Sequence, residues 1–101
     1  MAAKSRSEII ADIEAHVAKN GGDFTAWFTG VTANPKKALF QDHRLKTEGD
    51  AWICRRAMAS DQASEVAEYF ATVRGTKGGN RASGMDEEYV YAYKMKSHTR
   101  P

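Results

Sequence analysis

Apolar positions along this chain repeat with two periods, and the changes of period divide it into six elements. Ile9, Ile10, Ile13 and Val17 recur at helical intervals, and Ser5 and Glu8 stand at capping-box spacing ahead of them. Asn20-Gly21-Gly22 stops the run, so residues 6–20 read as an amphipathic helix. The next stretch is aromatic and β-branched and ends near Gly30, which predicts a strand over 24–32. Phe24, Ala26 and Phe28 point to one face and Trp27 and Val31 to the other. Asn34 then caps a helix that Pro35 opens, running over about 35–45 with Leu39 and Phe40 as its apolar anchors.

Glu48-Gly49-Asp50 is a turn, and 51–57 reads as a second strand interrupted by Arg55 and Arg56. A period of two puts Trp52 and Cys54 on one side and Ile53 and Arg55 on the other. Ala63, Val66, Ala67, Phe70 and Val73 form the clearest helical stripe. It predicts a helix over 61–74, capped by Ser60 or Asp61 and stopped by Gly75. Residues 75–85 read as a glycine-rich basic loop. Strict alternation over 89–96 then gives a last strand with Tyr89, Tyr91, Tyr93 and Met95 on one face. Such a face serves either to cover a helix or to stack bases. Together these elements make an α+β domain with a small three-stranded sheet (24–32, 51–57, 89–96) packed with helices (6–20, 35–45, 61–74). The single domain spans 1–101, its N-terminal helix added to a core over 24–96.

Composition changes this picture little. With 42% hydrophobic and 28% charged residues, a chain of 101 residues has the balance of one globular domain. A formal charge of +2 does not by itself announce a nucleic-acid binder. The lone Cys54 excludes an internal disulfide, and a thiol without a nearby histidine reads as a small buried filler. Absence of an apolar leader or spanning stretch points to a cytoplasmic protein. His16 reads as a boundary histidine beside the first helical stripe. The bases with a claim on a partner are Lys36, Lys37, Arg55, Arg56, Lys77 and Arg81.

The run FTGVTANPKKALFQDH, with the later segment SEVAEYF, resembles the GIY-YIG nucleases. In that family Tyr-Ile-Gly ends a strand, an Asn-Pro turn follows, a helix carries an arginine and then a histidine or tyrosine, and a later helix bears a metal-binding glutamate. The resemblance covers about half the chain and implies a GIY-YIG-like fold with His43 as general base and Glu68 as magnesium ligand. It departs at Phe28, where the signature tyrosine stands, and at Ala38, where the phosphate-binding arginine stands. His43 falls one residue late, and the upstream Gly-Ile-Tyr strand is replaced by the N-terminal helix.

Three functions follow as expectations. The first is a degenerate, non-catalytic GIY-YIG-like binding module, with no cofactor, that contacts DNA, RNA or an acidic protein surface through the six bases. The second is an active nuclease using His43, Glu68 and magnesium, with Arg55 or Arg56 replacing the missing phosphate clamp. The third is a small adaptor or inhibitor of another protein, of the kind carried by phages or mobile elements.

Overall fold

The computed structural model describes residues 2–46, 49–79, 84 and 86–99. Helix α1 spans Arg6–Lys19 and opens with the capping box: the Ser5 hydroxyl accepts from the Glu8 N–H while the Glu8 carboxylate accepts from the Ser5 N–H. Strand β1 runs Trp27–Thr32. The predicted strand start at 24 is corrected, because Asp23 accepts from the Thr25 N–H and winds Phe24–Ala26 into a 3₁₀ turn. Asn34 Oδ1 then accepts from the Lys37 N–H at 3.1 Å, and the helix that Pro35 opens widens into a π-helix over Lys37–Asp42. Arg44 sits in the left-handed region (φ 59°) and turns the chain so that Leu45 returns to donate to the Leu39 carbonyl at 2.9 Å.

Strand β2 is Trp52–Arg56. Helix α2 is Ser60–Tyr69, with Ala59 rather than Ser60 or Asp61 at its N-cap, and it continues as a π-turn over Phe70–Arg74. Gly75 ends it in the left-handed conformation (φ 82°), as its position in the sequence predicts. Strand β4 is Tyr89–Lys94.

The expectation of a three-stranded sheet is corrected. Among the described residues the sheet has four strands in the order β2-β4-β1-β3, where β3 is the short segment Lys77–Gly78 running parallel to β1. The other pairings, β1 with β4 and β2 with β4, are antiparallel. A Lys-Gly-Gly sequence carries no strand signal, yet its glycines permit the approach. The Gly79 N–H reaches the Thr29 carbonyl at 2.9 Å, and a Cβ on Gly78 would stand 2.2 Å from that oxygen. The Thr29 and Thr76 hydroxyls, both buried, bond at 2.8 Å beside this junction.

Alternation along the strands gives the sheet two covered faces. On one, Trp27, Val31, Ile53, Val90 and Ala92 pack under Ile9, Ile13 and Val17 of α1 and Ala63, Val66, Ala67 and Phe70 of α2. The two helices are tied by Arg6 to Glu65 and by Arg74 to Glu14. On the other face, Phe28, Trp52, Cys54, Tyr91 and Tyr93 pack under Ala38, Leu39 and Leu45. The tyrosine row therefore covers a helix. Tyr91 and Tyr93 are buried beneath the π-helix, the first of the two uses expected of this face, and are closed to bases. No helix among the described residues is long and apolar enough to cross a membrane.

Candidate functional site

His43 ends the π-helix, and the fold drives it into the second face of the sheet. Its Nε2 lies 2.7 Å from the Tyr91 hydroxyl and its Nδ1 3.0 Å from the Tyr93 hydroxyl, with the Phe28 ring tilted over the imidazole at 4.7 Å between centroids. A neutral imidazole donates from one nitrogen and accepts at the other, and the two tyrosines supply the complementary roles. Burial, with the Asp42 carboxylate nearby, pushes the Tyr91 hydroxyl up to about 12. Burial raises Tyr93 further, with Tyr91 adding to the effect. Both hydroxyls stay protonated at neutral pH and serve as fixed partners.

Glu68 lies elsewhere. It is exposed on α2, whose apolar stripe packs on the first face of the sheet. The sheet therefore stands between His43 and Glu68, and the two residues expected to share a nuclease centre are not brought together. Among the described residues no three His, Cys, Asp or Glu side chains gather into a group able to hold a metal ion.

The expected bases are also dispersed. Arg55 Nε donates to Asp12 Oδ2 at 3.0 Å, and Lys4 donates to the same oxygen. Arg56 Nε donates to Glu88 at 3.1 Å. Lys77 is on β3, at the far edge of the sheet from β2, a spacing of about 14 Å for three interstrand steps. Lys36 and Lys37 are exposed at the start of the π-helix. Arg81 lies outside the described residues.

One constellation does converge: it takes in two of the expected bases, Lys36 and Arg55, while the sequence does not single out the apolar residues around them as a site. A groove of about 740 Å³ follows β2. One wall is Ala33, Asn34, Pro35, Lys36, Leu39 and Phe40; the floor is Trp52, Cys54 and Tyr89; and around the strand edge come Ile53, Arg55 and His16 of α1. Phe40 meets Trp52 edge to face at 5.4 Å. Lining residues from both faces of one strand mean that the groove straddles that strand's outer edge. Among the described residues the lining holds Lys36, Arg55 and His16 and no carboxylate. Burial raises the Cys54 thiol, so it remains an uncharged surface of the floor. Burial and the neighbouring charges of Arg55 and Lys19 hold His16 below 6.5, and among the described residues its buried Nε2 has no hydrogen-bond partner. Phe40 and Trp52 lie twelve positions apart in the sequence with a turn between them, and no local periodicity could have joined them.

Set against known proteins, the chain matches no family model, no curated protein and no solved structure.

Proposed function

We propose that the chain is a non-catalytic binding module on a GIY-YIG-like α+β scaffold, and that its ligand surface is the groove beside β2, which receives an acidic protein segment. The observation that carries this reading is the composition of the groove: apolar and aromatic walls, the cations Lys36 and Arg55, the latter shared with Asp12, and no acid among the described lining residues. The walls provide burial and Lys36 provides attraction without an internal ion pair among the described residues. The separation of His43 from Glu68 by the sheet supports binding over cleavage. Single-stranded nucleic acid is the second reading, favoured by Phe40, Trp52 and Tyr89 standing together in a basic groove.

Fluorescence anisotropy with a labelled glutamate-rich polypeptide and a labelled single-stranded oligonucleotide tests the proposal. The polypeptide binds, Lys36→Glu and Phe40→Ala each weaken it at least about fivefold, and the oligonucleotide does not compete. Preferential oligonucleotide binding that is lost in the same variants transfers the site to nucleic acid. Magnesium-dependent cleavage of plasmid DNA, abolished by Glu68→Ala, refutes the non-catalytic reading.

A further inference from the structure

The ladder between β2 and β4 determines which backbone groups of β2 are in use. The Lys94 N–H donates to the Ala51 carbonyl and the Ala57 N–H to the Glu88 carbonyl, so odd-numbered residues of this segment turn their amides and carbonyls inward. Trp52, Cys54 and Arg56 therefore turn theirs outward, along the groove.

Two of these outward groups are occupied. The Arg56 carbonyl accepts from the Lys4 N–H at 2.8 Å, in a short parallel bridge that closes one end of the edge. The Cys54 carbonyl accepts from Arg55 Nη1 at 2.8 Å. Among the described residues the amide and carbonyl of Trp52 and the amide of Cys54 take no partner, and both residues line the groove. An edge left open over its first half and closed at the other end by the protein's own chain is a template for one short incoming strand.

Resting on the binding reading above, we infer that the occupant is an extended acidic peptide that adds to the sheet as a fifth strand beside β2. Its backbone bonds to Trp52 and to the Cys54 amide. Alternate side chains fall on opposite faces of the extended sheet: apolar ones on Trp52 and Phe40, acidic ones toward Arg55. Lys36 at the lip meets a further carboxylate. A second copy of this chain fits worse, because its β2, Trp52–Arg56, brings two further arginines and no carboxylate to the groove.

The test uses an eight-residue peptide alternating glutamate with valine and the same peptide with two backbone amides N-methylated on one edge. Both are titrated against the full chain, and amide hydrogen exchange is read residue by residue. Strand addition slows exchange at Trp52 and Cys54, and N-methylation on the pairing edge weakens binding at least about fivefold. Binding of both peptides with equal strength and unchanged exchange at those two amides overturns strand addition and leaves the binding reading intact. Failure of both peptides, with Lys36→Glu also silent toward a glutamate-rich polypeptide, overturns both. A concentration-dependent dimer that protects the same amides without peptide assigns the edge to a second copy and overturns the peptide.

Discussion

His43 carries more of the second face of the sheet than its size implies. It bridges two tyrosine hydroxyls that burial has cut off from water, and Phe28 closes over it. Replacing it by leucine keeps the volume and removes both bridges, leaving buried hydroxyls without this partner at about 1–3 kcal/mol each. His43→Leu is therefore expected to lower the unfolding free energy in urea by about 2–4 kcal/mol. A loss under about 0.5 kcal/mol would show that the tyrosines find other partners at no cost.

His16 makes a prediction of opposite kind. Its proton affinity in the fold lies below the ordinary value of 6.5, so as pH falls the unfolded chain takes up the proton first. The stabilisation from keeping this ring neutral is complete above 6.5 and is lost as pH drops through the folded value. His16→Gln should flatten the dependence of stability on pH below about 6.5, read from urea midpoints as the pH is lowered. An unchanged slope would place the titration in another group.

At the scale of elements, local chemistry and long-range contact divide the work unevenly. The N-terminus of α1 is decided by its own residues, and Ser5→Ala removes one half of the reciprocal cap. The expected cost is about 1 kcal/mol, read as a shift of the thermal midpoint. The join of β3 to β1 depends instead on an approach that only glycine permits. At Gly78 a side chain would meet the Thr29 carbonyl and the Phe28 ring, and φ is +89°. Gly78→Ala is expected to cost more than the roughly 1–2 kcal/mol of a left-handed alanine, because the backbone must also retreat. Loss of slow exchange at the Gly79 amide is the specific readout; retained protection there would refute the close approach.

At the scale of the molecule, the charge of the groove depends on α1. Asp12 sits between Lys4 and Arg55, and hydrogen bonds from those two cations hold its carboxyl below the usual range. Asp12→Asn leaves Arg55 without its counter-charge and should strengthen binding of an acidic ligand by a few fold, while Lys36→Glu weakens it. The same substitution removes a stabilising pair whose contribution is present above the unfolded aspartate value of 3.8 and is lost as pH falls below it. Affinity unchanged in Asp12→Asn would mean that Arg55 does not face the ligand.

The sequence by itself determined the elements with a local cause: the Ser5–Glu8 box, the Asn34–Pro35 start, the stripe of α2, the Gly75 stop and the alternation of β4. In each, the residues that decide the conformation lie within a turn or two of one another. Tertiary structure alone decided the rest. The strand at Lys77–Gly78 exists because β1 offers it a carbonyl, and Arg55 and Arg56 are neutralised by acids 43 and 32 residues away. His43 and Glu68, which look like partners in the sequence, are parted by the sheet. The groove joins residues from both faces of β2, because which strand is left at the edge depends on how all the strands order, and no single segment encodes that order.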